Sequence, residues 1–422
     1  MSLAARVMWD YGPNGEKRDL GRMLSSSLSE KSRLRLGIIA NEFFDARISR
    51  LGGFGMLSKQ IVAAAQGSSN PQIDVDLYWG DPPDHIRESK EKLKIYGRPA
   101  RFPLYKWRRE KLAIMAERKV PDLFLTIDYR ENYEYYLTMF PRAPMLMWVQ
   151  DPKTPEDWDR IATTHVPGQK GIEPKGLQYI DCTPLADLVK RRRAAGYKTI
   201  FAAPSPFLEA KVESTYGMMP NEVASLCYPM EPAPAGPYEK SEKPTVMFLG
   251  RLDPQKRPWM LPEIARRMPD VTFRIFGKSH FSGPGSWEPK DLPENMEMLG
   301  HTEGEEKHRL IASSWLHLNP AIHEGLPIAF VEGLQREVPV VSCVNPERVP
   351  ERFGAHVGEP RGPGMDEVDK FVAALRDLID NDEKRKRMGV EGRLWAEKTH
   401  SAENFLRSFE KLVAQFDQEL VA

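Results

Sequence analysis

Two glutamates flank a predicted strand-to-helix junction in the second half of the chain. The run HEGLPIAFVE (His323–Glu332) follows the apolar stretch WLHLNP and places Glu324 in a loop and Glu332 in a helix. Gly325 allows close backbone approach, and the free N–H groups of the first helical turn, where Pro327 is tolerated, attract anions. At 1.5 Å per residue, Glu332 lies roughly 7–8 Å along the helix axis from the start of the predicted helix. Acceptors at both ends of an anion site match a nucleotide diphosphate-sugar, with Glu324 at the sugar and Glu332 at the ribose.

The same two glutamates have a simpler explanation. Acidic side chains are favoured near helix N-termini, and Glu332 can be an ordinary solvated residue. The spacing alone leaves both interpretations open.

A candidate phosphate site precedes this junction. In GRLDPQKRP (Gly250–Pro258), Arg251 and Lys256 follow a strand-like run, where the carboxyl end of a parallel strand meets a ligand cleft. Arginine offers phosphate a two-pronged contact and lysine a point charge. A basic surface turn would explain this motif alone, but its combination with Glu324 in the same domain favours the phosphate interpretation.

A glycine-rich run lies between the first predicted strand and helix. In RLGGFG (Arg50–Gly55), Gly52, Gly53 and Gly55 allow the main chain to approach a ligand. The run lacks the acidic partner of a dinucleotide site and the Lys-Ser/Thr ending of a phosphate-binding P-loop. A structural tight turn is an equal alternative.

Apolar runs alternate with helical patterns, which predicts doubly wound parallel sheets and an α/β fold. The predicted strands are Leu34–Ala40, Ile73–Trp79, Asp122–Ile127, Pro144–Gln150, Leu177–Cys182, Thr199–Ala203, Thr245–Gly250, Val271–Gly277, Trp315–Pro320 and Pro339–Val344. The clearest predicted helices are Phe54–Ala65 and Ala402–Leu420, and the latter carries an apolar stripe that must pack on something.

Proline and glycine density predicts a linker between two domains. The predicted order is an N-terminal extension at 1–32, a first Rossmann-like domain at 33–229, a linker at 230–244, a second Rossmann-like domain at 245–400, and a C-terminal helix at 401–422 that packs back on the first domain.

The overall composition excludes several classes of protein. The 60 basic and 60 acidic side chains give zero net charge, which argues against a nucleic-acid binder. No apolar run approaches the ~18 residues of a membrane span, and no secretory signal is expected at the N-terminus. The three cysteines are far apart, so we expect buried, reduced thiols, no zinc site and a cytoplasmic location.

These motifs, in this order, resemble retaining glycosyltransferases of the GT-B architecture, in particular glycosyltransferase family 4. That pattern has Gly-Gly-x-Gly in the first loop, G-R-L-x-x-x-K after the linker, and then E-G-x-P with a second Glu. The run Asn319–Cys343 follows it nearly throughout, and the likeness covers most of residues 34–420. It implies two Rossmann-like domains facing across a cleft, as in enzymes of polysaccharide biosynthesis.

The resemblance also implies roles for individual residues. Arg251 and Lys256 would hold the donor diphosphate, Glu324 the transferred sugar and Glu332 the ribose. Main-chain groups would complete the donor site: Gly325, Leu326 and Ile328 at the sugar, Gly277–Lys278 and His301–Thr302 at the base, and Gly53 and Gly55 at the diphosphate or the acceptor. The reaction would retain anomeric configuration by front-face attack, without a cofactor or a metal, because protein cations stabilise the leaving diphosphate.

Two positions depart from the family pattern. Arg257 stands where a glycine often follows the lysine, and it either adds charge near the donor or is merely exposed. Gln150 and Asp151 stand where many relatives have a histidine near the reacting carbon, so both are candidates for the acceptor side, with a loop role as the alternative for Asp151.

A basic stretch and a group of tyrosines each allow two interpretations. The basic stretch 87–119 is either a peripheral contact with an anionic membrane or a solvated face. Tyr133, Tyr135 and Tyr136 either stack on a sugar or pack in the core. For function, the alternatives to transfer are a nucleotide-sugar-binding protein and a GT-B epimerase.

Overall fold

The computed structural model describes residues 10–11, 17–18, 28, 32–42, 52–68, 72–79, 87–88, 94–96, 120–128, 133–219 and 221–418. The chain forms two compact units. The first comprises Met1–Trp148, Asp187–Phe201 and Leu406–Ala422, and the second comprises Val149–Ala186 and Ala202–Phe405. The segment 149–186, which the sequence assigns to the first domain, therefore clusters with the second unit. The predicted linker at 230–244 stays a prediction.

The larger sheet has eight strands and a parallel centre. In chain order these are β3 Arg33–Ala40, β4 Gln72–Trp79, β5 Arg87–Glu88, β6 Lys94–Tyr96, β7 Leu123–Ile127, β8 Met145–Trp148, β9 Thr199–Ala203 and β10 Val223–Ser225, after an antiparallel pair β1 Asp10–Tyr11 and β2 Lys17–Arg18. The order across the sheet is β10-β9-β8-β7-β3-β4-β6-β5. Every residue of β7 and β8 is buried, as expected for parallel strands covered on both faces.

The smaller sheet has six strands, all parallel. They are β11 Thr245–Leu249, β12 Thr272–Phe276, β13 Met296–Gly300, β14 Leu316–Asn319, β15 Val340–Ser342 and β16 Gly354–His356. Their order is β13-β12-β11-β14-β15-β16, so the strands carrying the two main motifs, β11 and β14, are neighbours. An apolar core that includes Phe248, Phe273 and Leu318 supports this sheet.

Helices connect the strands of both sheets. They are α1 Gly53–Gly67, α2 Glu134–Met139, α3 Pro155–Ala162, α4 Thr183–Ala194, α5 Pro206–Tyr216, α6 Met260–Arg266, α7 Gly304–Ser313, α8 Ile328–Leu334, α9 Val349–Arg352, α10 Val368–Asp380, α11 Asp382–Thr399 and α12 Ala402–Gln418. The apolar stripe of α12 is buried, and its residues from Leu406 onward belong to the first unit.

One predicted strand is wrong. Leu177–Cys182 is an irregular segment in which Tyr179 is 69% exposed and Ile180 is 46% exposed. Leu177 is buried, but Tyr179 and Ile180 face an open surface, so the apolar run is not a strand covered on both faces. The edge strands β13 and β16 were missed because their half-exposed residues break the continuous apolar pattern of a central strand.

Several side chains settle questions that the sequence left open. Tyr133, Tyr135 and Tyr136 are buried, and Tyr136 packs edge-on against Tyr78 at 5.2 Å, so core packing is the correct alternative. The expectation of three buried thiols holds only for Cys343, because the other two cysteines are half-buried. Burial raises the pKa of Cys343 to about 11, so this thiol stays protonated.

Arg257 is fully buried, so the interpretation of an exposed side chain is wrong, and the added charge near the donor stays a prediction. Its backbone lies in the left-handed region at φ 46°, the conformation that a glycine at this position would adopt most easily. The guanidinium donates to the Pro320 carbonyl at 2.6 Å and to the Arg361 carbonyl at 3.0 Å, and it pairs with Glu367 at 2.8 Å. Arg257 therefore ties the turn after β11 to the loops after β14 and before α10.

We expect Arg257→Ala to lower the free energy of unfolding by about 3–5 kcal/mol, because it leaves Glu367 buried without its ion-pair partner. Urea denaturation of the whole chain measures this. Arg267→Ala is the matched control: Arg267 forms an exposed pair with Asp369, and its loss should cost at most about 1 kcal/mol. Equal losses in the two variants would contradict the structural role of Arg257.

Candidate functional site

Three glycines stand at the carboxyl ends of neighbouring strands in the smaller sheet. They are Gly250 after β11, Gly277 after β12 and Gly300 at the end of β13. Gly277 has φ 120°, and a Cβ there would lie 1.8 Å from the Gly250 carbonyl oxygen. The Gly277 N–H donates to the Gly300 carbonyl at 2.7 Å. At these three positions the carboxyl-end edge of the sheet exposes backbone and no side chain. Open α/β sheets bind ligands at this edge.

Lys256 and Glu324 form an ion pair beside this edge. Their side chains are 17% and 7% exposed, so little water screens the two charges. Asn319, the last residue of β14, donates from its side-chain amide to Glu324 Oε1 at 3.1 Å. The side-chain oxygen of Asn319, Oδ1, accepts from the Ala321 N–H at 2.9 Å. Two residues predicted from separate motifs are thus brought into direct contact.

Arg251 is more open than Lys256. Its side chain is 44% exposed, and its Nε lies 3.4 Å from Asp253 Oδ2. Asp253 is buried, and its other carboxylate oxygen accepts from the His280 N–H at 3.0 Å. The carboxylate of Asp253 therefore connects Arg251 to the loop after β12.

Glu332 is buried rather than solvated. It is the fifth residue of α8, as the spacing predicts, and it pairs with Lys307 of α7 at 2.6 Å. Pro327 lies one position earlier than expected, at the N-cap of this seven-residue helix. The dipole of so short a helix is small, so side-chain cations are the main source of positive charge here.

The Gly325–Leu326 loop is fixed from two sides within the second unit. A Cβ on Gly325 would lie 2.1 Å from the Gln150 carbonyl oxygen, so only glycine fits without movement. The Tyr228 hydroxyl donates to the Leu326 carbonyl at 2.6 Å, and the Tyr228 N–H donates to Nδ1 of His400 at 3.2 Å. No sequence signal marked Tyr228 or His400, because their partners are far away in the chain.

Asp151 belongs to a partly buried charge network. It accepts from Lys153 at 2.6 Å and lies 2.9 Å from Nε2 of His323. Nδ1 of His323 lies 3.5 Å from Asp157, which also pairs with Lys211 at 2.8 Å. Burial opposes ionisation of Asp151, but Lys153 and His323 outweigh it and hold its pKa well below the usual range.

The remaining predicted residues have varied surroundings. Gln150 is buried at 4% exposure, and His301, directly after β13, is exposed and bonded to Glu303. Gly53 is the exposed first residue of α1, and Gly55 is buried one position beyond Phe54. Both glycines lie in the first unit, and their approach to a ligand stays a prediction.

His317 of β14 lies beneath this site and is fully buried. Its ring packs edge-on against Phe330 at 5.5 Å, and no described group lies within hydrogen-bond distance of either ring nitrogen. Burial, and then the nearby Lys256, lower its pKa to about 3. His317 is therefore neutral at physiological pH.

Two further findings concern the described residues only. They contain no group of three or more His, Cys, Asp or Glu side chains arranged to hold a metal ion. None of their helices combines the length and the apolar character needed to cross a bilayer.

Comparison with known proteins identifies the fold. Sucrose-phosphate synthase from Thermosynechococcus elongatus is 13% identical, with a TM-score of 0.61 over 91% of this chain and 99% of that chain. HepE from Anabaena in complex with UDP-glucose is 13% identical, with a TM-score of 0.62 over 90% and 99%. WaaG, a glycosyltransferase involved in lipopolysaccharide biosynthesis, is 14% identical, with a TM-score of 0.56 over 90% and 99%. The fold is therefore the GT-B fold.

A family match concerns the second half of the chain. Residues 232–395 match the family described as glycosyl transferases group 1. That range contains Arg251, Lys256, Glu324 and Glu332. No curated protein sequence matches the chain.

The neutral state of His317 predicts a pH dependence of stability. The unfolded chain has the higher histidine pKa, near 6.5, so it binds more protons, and stability falls as pH drops from 6.5 towards 3. When the pH is lowered from 7 to 5.5, the unfolding free energy of His317→Leu should fall by about 1 kcal/mol less than that of the wild type. Urea titrations at the two pH values measure it. An unchanged pH dependence in the variant would show that His317 does not contribute.

Proposed function

We propose that the protein is a retaining, metal-independent glycosyltransferase. It moves a hexose-type sugar from a nucleotide diphosphate-sugar to a hydroxyl group of a glycan, lipid-linked or small-molecule acceptor. The observation that carries the proposal is the Lys256–Glu324 pair. It lies beside the glycine-ended strands, inside the segment that matches the glycosyl transferases group 1 family.

The charges of the site suit a diphosphate leaving group. Arg251 has an exposed guanidinium, and Lys256 already neutralises a carboxylate in a poorly screened position. Both cations would stabilise the negative charge that develops when the sugar–phosphate bond breaks. The leaving diphosphate would then help to deprotonate the acceptor hydroxyl on the same face of the sugar, which retains the configuration.

Glu324 is suited to orient the sugar. Asn319 and Lys256 bond to one of its oxygens, Oε1, so the carboxylate has a fixed position from which to accept sugar hydroxyls. Glu332 would contact the ribose while it remains paired with Lys307. Backbone groups near Gly277 and His301 would hold the base, and those of Gly325, Leu326 and Ile328 the sugar.

The donor base and the location of the reaction are part of the proposal. One compared structure, HepE, holds UDP-glucose, so UDP-glucose is the first donor to test. We place the enzyme in the cytoplasm. The basic stretch 87–119, of which only 87–88 and 94–96 are described, stays a candidate for a peripheral membrane contact, with a solvated face as the alternative.

Thermal-shift titrations with UDP, GDP, ADP and dTDP identify the base, because a ligand of the folded state raises the melting temperature. Donor turnover with the matching nucleotide-sugar then separates transfer from simple binding. Release of the nucleoside diphosphate supports a transferase. Binding without turnover under any acceptor would favour a nucleotide-sugar-binding protein, and conversion of the donor to an isomer would favour an epimerase.

The Lys256–Glu324 pair predicts opposite effects of two substitutions. Lys256→Ala should weaken nucleoside diphosphate binding by about 1.5–3 kcal/mol, because a charge-assisted contact is lost. Glu324→Ala should abolish transfer. It should leave the affinity for the nucleoside diphosphate equal or slightly tighter, because it releases Lys256 for the phosphate. Isothermal titration and an initial-rate assay measure the two effects.

Lys290→Ala is the matched control, since Lys290 is an exposed lysine in the connection between β12 and β13. Both measurements should match the wild type. If Glu324→Ala lost nucleoside diphosphate affinity as strongly as activity, the assignment of Glu324 to the sugar would be wrong.

A further inference from the structure

A cavity of about 1000 Å³ lies within the second unit, outside the predicted donor site. Its walls are α3, the segment that follows it as far as Thr183, and the end of α5. No motif of the sequence predicts this cavity, because its lining residues follow no local pattern. Its volume is at the upper end of the about 300–1,000 Å³ typical of small-molecule sites.

Aromatic side chains form one wall of the cavity. Trp158 and Tyr179 meet edge to face at 5.2 Å, and Lys153 lies 5.6 Å from the centre of the Trp158 ring. Tyr179 is 69% exposed although it is a large aromatic residue. Exposed aromatic rings that have an apolar face and a polar tip suit the C–H face and the hydroxyl rim of a sugar ring.

The charges around the cavity are nearly balanced. The lining contains Lys153 and Lys170 against Asp159, Glu173 and Asp181. The lining also contains hydroxyl residues, namely Thr163, Thr164, Thr183, Ser214 and Thr215. A balanced, hydroxyl-rich lining favours a neutral polyol over a phosphorylated or sulfated ligand, which would need a clear basic excess.

Hydrogen bonds hold the walls of the cavity in place. Gln169 accepts from the Gly285 N–H at 2.7 Å and donates to the Ser286 carbonyl at 3.2 Å. The Lys175 N–H donates to the Gly285 carbonyl at 2.7 Å, and the Thr164 hydroxyl donates to the Gly362 carbonyl at 2.8 Å. These contacts attach the segment to two loops of the smaller sheet, so the cavity is largely preformed, which lowers the entropic cost of binding.

Two sets of contacts connect the wall of the cavity to the loop that carries Glu324. Ile161 and Leu177, which line it, form a buried apolar cluster with Ile322, two residues before Glu324. Lys153, also in the lining, bonds to Asp151, and Asp151 contacts His323. The wall of the cavity is therefore packed against the loop that leads to Glu324, the residue assigned to the transferred sugar.

We propose that this cavity binds the acceptor, and that the acceptor is a neutral oligosaccharide of at least two sugar rings, one of which stacks on Tyr179. The inference rests on the proposed glycosyltransferase function and specifies its acceptor. It places acceptor binding on the segment 149–186, rather than on Gln150 and Asp151 alone.

Binding of neutral trisaccharides to the full chain tests the proposal. Maltotriose, cellotriose and chitotriose are titrated in the presence of UDP, and saturation-transfer NMR detects the bound sugar. We expect at least one to bind, Tyr179→Ala to weaken it by about tenfold, and Tyr179→Phe to retain it because the ring remains. Phe207→Ala is the control, since Phe207 is an exposed aromatic residue outside the cavity, and it should bind like the wild type.

The acceptor inference is overturned if no trisaccharide binds, if binding is equal in wild type and Tyr179→Ala, or if only a sulfated trisaccharide binds. Affinity for UDP, GDP, ADP and dTDP, and turnover of the matching nucleotide-sugar, are measured on the same samples. If one nucleotide binds and its sugar derivative is turned over while the trisaccharide results fail, the acceptor site alone is wrong. If none of the four nucleotides binds and no donor is turned over, the proposed function itself is wrong.

Discussion

The Lys256–Glu324 ion pair is the contact on which the candidate site depends. Both charges are mostly removed from water, and a charge in such a place is costly unless its partner stays in position. The sheet order provides that position, because β11 and β14 are adjacent parallel strands and their carboxyl ends bring the two loops together. A site formed this way needs no preformed helix dipole, which agrees with the short α8.

Backbone contacts set the shape of the same site. Gly277 and Gly325 each stand where a Cβ would overlap a carbonyl oxygen, so neither position tolerates a side chain without a shift. Arg257 supports the turn after β11 by donating to the backbone carbonyl oxygens of Pro320 and Arg361. Its backbone has the left-handed conformation that glycine adopts most easily, and its side chain is buried in the core.

The sequence predicted the central strands and both charged motifs because each is a local pattern of apolar and polar residues. The sequence assigns Lys256 and Glu324 to the same domain because the strands before them belong to one sheet. The contact of Asp151 with His323 spans 172 residues, and that of Tyr228 with Leu326 spans 98, so neither leaves a periodic signal. The burial of Arg257 was missed for a related reason, since its partner Glu367 lies in a distant loop.

The segment 149–186 shows how such distant contacts change the organisation of the chain. It follows β8 of the larger sheet, yet its hydrogen bonds and apolar contacts go to the loops around the smaller sheet. The loop residues of the candidate donor site and the walls of the cavity consequently belong to one compact unit. Because they are parts of the same packed body, the geometry between Glu324 and the cavity is set by folding of that unit and does not require a separate docking step.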